Sequence, residues 1–145
     1  MSVGRICVRN VDLADGTETI WLAAERMHQR AVGALVVLND AQQPIGILSD
    51  RDIVERVVAV SRDPSTTTVA DVMTGSPWTI PEDASIESAI GYMRAHGVRR
   101  LPVVDRNDRL VGLVTLDDIV ILLAEELADI GRLIERQTPQ AVAER

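Results

Sequence analysis

Residues 4–54 recur as residues 70–120 at a constant offset of 66, with no gap needed. Ile20 falls on Ile86, Ala23 on Ala89, Met27 on Met93, Val32 on Val98, Leu35 on Leu101 and Val37 on Val103. Gly46 falls on Gly112, Asp52 on Asp118, Ile53 on Ile119 and Val54 on Val120. The matches sit at apolar positions, one glycine and one aspartate, the places a shared fold fixes. A chain so built is two copies of one unit, and function should lie where the copies meet. At 145 residues the copies should share a core rather than fold as separate bodies.

Each repeat reads as strand, helix, strand, strand, helix. The first helix carries Ile20, Ala23, Ala24 and Met27 in one copy and Ile86, Ala89, Ile90 and Met93 in the other, both at i, i+3, i+4, i+7. Asp83 or Ser85 would cap the second of these after Pro81, and Gly97 would stop it. The runs Leu35–Leu38 and Ile45–Leu48, and their counterparts Leu101–Val104 and Val111–Val114, flank short polar loops and read as hairpins. A helix then starts near Asp50 and near Leu116. The expected fold is α/β (α+β), two β-α-β-β-α repeats packed with pseudo-two-fold symmetry. The repeats span 4–60 and 70–130, joined by a linker at 61–69, and 131–145 holds the end of the last helix and a tail. That helix keeps its apolar period to about Arg136, before Thr138-Pro139, which is longer than the repeat requires. It covers either its own sheet or a second subunit.

The formal charge of −7 argues against a nucleic-acid or anionic-membrane surface but leaves room for a small anion held by a local arginine cluster. One cysteine, Cys7, cannot form an internal disulfide, and no Cys/His cluster has metal spacing. Without a signal pattern or a membrane-length apolar run, a soluble cytoplasmic protein is expected. No nucleophile and base stand at recognisable spacing and no glycine-rich phosphate loop follows a strand, so neither a catalytic residue nor an enzyme is expected. Cys7, between Ile6 and Val8, is either a reactive thiol or a small buried apolar side chain.

Two features carry chemistry. Gly46-Ile47-Leu48-Ser49-Asp50-Arg51-Asp52 matches Gly112-Leu113-Val114-Thr115-Leu116-Asp117-Asp118, placing a hydroxyl three residues before a carboxylate at a strand-to-helix corner. The pair is either a capping box or a grip on a vicinal diol such as a ribose. The glycine would let a ring or backbone approach closely. The second feature is Arg99-Arg100, a positive spot at a helix-to-strand junction whose planar forks suit phosphate beside the diol-gripping corner. The first repeat has Gly33 and Ala34 there, so the two clefts should be unequal.

These residues resemble a tandem pair of CBS domains, the module named for cystathionine β-synthase. Val69-Ala70-Asp71-Val72-Met73-Thr74 is similar to the opening motif of that family, and Gly97 to Asp105 to its central one. Gly112 to Asp118 is similar to its ribose-binding corner. The resemblance implies a regulatory module that binds an adenine nucleotide (AMP favoured over ADP, ATP or an NAD-like compound) between the repeats. Thr115 and Asp118 would hold one ribose, and Ser49 and Asp52 the other. Arg99 and Arg100, with Arg51 and His96 as further candidates, would meet phosphate. Thr79, Ile80, Pro81 and Pro102 would line an adenine pocket. The first repeat departs from the pattern, with Cys7-Val8 for Met73-Thr74 and Val36 for Pro102. A homodimer through the faces Ile53–Val60 and Ile119–Ile130, acting on a separate downstream protein, completes the expectation. The alternative is a structural homodimerisation module with empty clefts.

Overall fold

Thr19 and Ser85 begin the two long helices in the same way. The Thr19 Oγ1 accepts from the Leu22 N–H at 3.3 Å, and the Ser85 Oγ from the Ser88 N–H at 3.0 Å. Ser85, not Asp83, is therefore the cap. The computed structural model describes residues 1–139 and builds the first repeat from six elements. These are α1 (Val3–Ile6), β1 (Leu13–Ala14), α2 (Ile20–Arg30), β2 (Ala34–Leu38), β3 (Pro44–Ser49) and α3 (Asp50–Ile53), the last continued by a π-helical turn over Val54–Val58. The second repeat has α4 (Val69–Val72), β4 (Thr74–Gly75), β5 (Ile80–Pro81), α5 (Ile86–His96), β6 (Arg100–Val104), β7 (Leu110–Thr115) and α6 (Leu116–Gln137). Residues 140–145, part of the expected tail, lie outside the described residues.

Helix α5 ends on Gly97 in the left-handed region (φ 63°), whereas α2 ends on Ala31 at φ 54°. A β-carbon is strained there and glycine is not, so Ala31→Gly is expected to raise stability by about 0.5–1 kcal/mol. A denaturant midpoint that moves down instead would contradict it.

Each sheet has a parallel pair, β1 with β2 or β5 with β6, followed by an antiparallel hairpin, β2 with β3 or β6 with β7. The hairpins share a register shift at the same place, between Val37 and Leu38 and between Val103 and Val104. Their tips touch: the Leu110 N–H donates to the Gln42 carbonyl at 2.9 Å. The stretch 61–68 lies along the first repeat, where the Ile20 N–H donates to the Thr67 carbonyl at 2.9 Å and Thr67 is buried.

The sequence repeats differ from the packing units because the opening turns are exchanged. Val69 and Val72 of α4 sit in the first core beside Ile20, Leu35 and Leu48, and β4 pairs with β3. Reciprocally, Val3 of α1 sits in the second core beside Ile86, Leu101 and Val114, and Val8 bridges to Leu113. Val3 on one side and Val69 and Val72 on the other are buried under the opposite repeat, so the two copies cannot separate without opening both cores.

The exchange explains the repeated glycine. A β-carbon on Gly46 would collide with the Met73 side chain, and one on Gly112 would meet the Cys7 Sγ at 2.6 Å and the Val8 carbonyl oxygen at 2.8 Å. The close approach is thus made by the exchanged segment, not by a ligand. Methionine can swing away and a backbone carbonyl cannot. Gly112→Ala is therefore expected to cost about 1–3 kcal/mol and Gly46→Ala less, as for other overpacked sites. Equal losses in urea unfolding would contradict this. Cys7 packs against the second core, where burial pushes its thiol up and Arg9 pulls it partly back.

Helix α6 buries only Ile119 fully, with Leu122 packed partly on the core. Val120, Leu123, Leu127, Ile130 and Ile134 stay exposed, Leu127 at 69%. Beyond its first turns α6 therefore does not cover its own sheet. Val54 and Val58 are exposed likewise after α3.

Candidate functional site

Strand β3 runs directly into α3, and β7 into α6, so one residue at each junction ends a strand and caps a helix. The Ser49 N–H donates to the Asp52 Oδ2 at 2.9 Å, and the Ser49 Oγ accepts from the Asp52 N–H at 3.1 Å. Thr115 and Asp118 repeat the arrangement at 3.1 and 3.1 Å. Both are capping boxes. Capping does not exhaust the groups. Each hydroxyl keeps its proton to donate, and each carboxylate keeps a second oxygen; that of Asp52 lies 3.7 Å from Arg56. The box locks hydroxyl and acid side by side, which is the preorganisation a diol needs.

The pseudo-two-fold axis sets the corner of one repeat against the helix-to-strand junction of the other. One cleft, of about 260 Å³, joins Ser49, Asp52 and Ile47 of the first repeat to Val98, Arg99, Arg100 and Pro102 of the second. Thr74, Pro77 and Trp78, after the exchanged turn, complete it. The related cleft, of about 210 Å³, joins Thr115 and Leu113 to Val32, Gly33 and Ala34, with Val8, Val11 and Asp12 beside them. Every residue of that second group lies 66 positions from a residue of the first. Arg100 alone belongs to both. The arginines thus face the Ser49–Asp52 corner of the opposite repeat. The Thr115 corner faces glycine and alanine, and Asp118 does not line its cleft.

The remaining candidates lie elsewhere. Arg51 is held by Glu55 at 2.7 Å and lines a hollow on the axis with Arg99, Arg100 and Thr115 rather than either cleft. The His96 ring stacks on Trp78 (centroids 3.8 Å apart, planes at 15°), with Tyr92 edge-on at 4.5 Å, because the last turn of α5 faces that indole. It does not line the cleft. Ile80 is buried in the second core, and Pro81 pairs with Val104 beside a separate acidic hollow. Thr79 lines neither cleft. Of the four adenine candidates only Pro102 faces the cleft, because the short strand β5 turns Ile80 inward and leaves Pro77 and Trp78 to form the wall. Trp78 lines the cleft without being among those candidates. A large aromatic in a chain with two tryptophans and no phenylalanine, just before a strand, was the available signal.

The cleft thus offers an apolar wall with an exposed indole, a fixed hydroxyl–carboxylate pair and two guanidinium groups. Arg99 is 72% exposed and only loosely held by Asp117 at 3.4 Å. Among the described residues no three metal-ligating side chains converge, and no helix is long and apolar enough to cross a membrane.

The model of the CBS domain matches residues 3–59 and 69–125. The uncharacterized protein MK0525 of Methanopyrus kandleri is 37% identical over 120 residues, covering 83% of this chain and 61% of its own length. Hypoxic response protein 1 of Mycobacterium tuberculosis is 39% identical over 108 residues, 74% of this chain and 75% of that protein. A crystal structure of Hypoxic Response Protein I with two coordinated zinc ions superposes with a TM-score of 0.73 at 34% identity, over 83% of this chain and 97% of that one. CBSX2 in complex with AMP shares the fold at a TM-score of 0.72 and 24% identity, over 86% and 96% of the two chains.

Proposed function

With both repeats matched, the chain belongs to the CBS domain family as a tandem pair, and we propose that it is a regulatory module that takes up an adenine nucleotide, AMP in preference, in the cleft of Ser49, Asp52, Trp78, Arg99 and Arg100. One observation carries this reading: diol acceptors, an aromatic wall and two phosphate-matching forks converge on one hollow at the repeat interface. Asp52 and Ser49 receive the ribose hydroxyls, Trp78 and Pro102 flank the base, and the arginines meet the phosphate. CBSX2, which shares the fold, holds AMP; here the argument rests on the residues of this chain.

A ligand that bridges the two repeats favours the arrangement in which its contacts are complete, and it shifts that equilibrium only by its differential affinity. The partner that reads the change is a separate protein. The carrier of the signal is a homodimer. Val120, Leu123, Leu127, Ile130 and Ile134 recur at spacings of 3, 4, 3 and 4 along α6, the seam of a coiled coil, and a second copy of α6 supplies the matching seam. The stripe continues beyond residue 125, where the family match ends.

Thermal unfolding with AMP, ADP, ATP and NAD tests the reading. A ligand at 100 times its dissociation constant adds about 2.7 kcal/mol, with AMP giving the largest gain at a common concentration. A chain that none of them stabilises has dimerisation, not sensing, as its role.

A further inference from the structure

The two clefts hold their arginines unequally, and one of those arginines is common to both. Arg100 lines the Ser49 cleft, the Thr115 cleft and the hollow on the axis between them. Its first-repeat counterpart at the offset of 66 is Ala34, so no second guanidinium answers it across the axis. Strand pairing sets Arg100 opposite Thr115. Its side chain nevertheless reaches over to the first repeat, with Nη2 only 3.0 Å from where a β-carbon on Gly33 would stand. The missing side chain at Gly33 leaves the guanidinium room there. Among the described residues Arg100 forms no ion pair, whereas Arg51 and Arg99 are paired with Glu55 and Asp117. The Asp50 carboxylate stands beside it without forming an ion pair, so Arg100 is an unpaired cation that lines both clefts.

We infer that Arg100 is a single guanidinium for which the two clefts compete, so that the module holds one phosphorylated adenosine ligand at a time while phosphate-free adenosine can fill both clefts. This rests on the proposed function. A phosphate in the Ser49 cleft, where Arg99 adds its charge, draws Arg100 toward itself. The Thr115 cleft is then left without a cation and faces a like charge across the axis. The coupling acts through the phosphate alone, because the ribose corners and the apolar walls of the two clefts share no other side chain.

Calorimetric titration of the full chain with AMP and with adenosine tests this. In the native chain the second AMP binds more weakly than the first by about tenfold or more beyond any gap seen with adenosine, a usual size for coupling between sites. Ile47→Trp, which fills the Ser49 cleft, frees Arg100, and the Thr115 cleft then binds AMP by about tenfold or more tighter than that second event. Arg99→Ala, at an exposed position, evens the arginine count of the clefts and leaves the second AMP weak. Should Ile47→Trp fail to fold, Arg99→Ala decides alone. Two AMP molecules binding with the same gap as adenosine, in the native chain or in Arg99→Ala, would overturn the competition and leave the proposed function standing. A chain that binds adenosine but gains nothing from the phosphate would also overturn it. No binding of either compound would overturn both.

Discussion

Replacing Arg99 and Arg100 together by alanine is expected to weaken AMP binding by about 100-fold or more, since each charged hydrogen bond contributes about 1.5–3 kcal/mol. Adenosine affinity should change little, because adenosine carries no phosphate for either guanidinium to hold. Folding should be unaffected by the loss of Arg99, which is 72% exposed and holds only Asp117 at 3.4 Å, a pair of small value to stability. Arg100 has its backbone in β6 and its side chain in open cleft. The contrast between the two ligands is the informative part. An equal loss for AMP and adenosine would mean that the arginines shape the cleft rather than hold phosphate.

Leu127→Glu combined with Ile130→Glu is expected to convert the proposed dimer to a monomer in sedimentation analysis, with the far-ultraviolet spectrum of the native chain. Both side chains are more than half exposed within one copy, so the charges cost the isolated fold little. In a coiled-coil seam they would stand buried and unpaired, a cost of several kcal/mol per interface. AMP binding should survive, because the cleft lies between the repeats of a single chain. A double variant that stays dimeric would move the interface to another face, such as that of the exposed Val54 and Val58 after α3.

The offset of 66 made most of the fold legible. Helices α2 and α5 occupy identical positions in their repeats, as do the hairpins, because the same apolar spacing and the same caps recur. The chemistry-bearing residues Ser49, Asp52, Arg99 and Arg100 were also visible as a hydroxyl–carboxylate pair and an arginine pair. Which of them meet was not. A linear offset pairs each corner with the junction of its own repeat, whereas a two-fold axis places each corner against the junction of the other. The exchange of α1 and α4 was hidden for a related reason: Val3 and Val69 look alike in sequence, and only the packing says whose core each one fills. The role of Gly46 and Gly112 follows from that exchange. The sequence points to Thr79, Ile80 and Pro81 for the apolar wall, whereas Pro77 and Trp78 line the cleft, because β5 is only two residues long. So short a strand carries no alternation from which to tell that Ile80 points into the core and Trp78 lies at the cleft.

Trp78 also supplies the most direct measurement. In a Trp21→Phe chain it is the remaining indole, and it stands in the wall of the proposed site. Titrating AMP while following its fluorescence should give a saturable change at one molecule per chain. Asp52→Ala should abolish it, and Asp118→Ala should leave it in place. If AMP stabilises the chain but leaves Trp78 unchanged, or if Asp118→Ala removes the signal while Asp52→Ala does not, then the nucleotide does not occupy the arginine-bearing cleft.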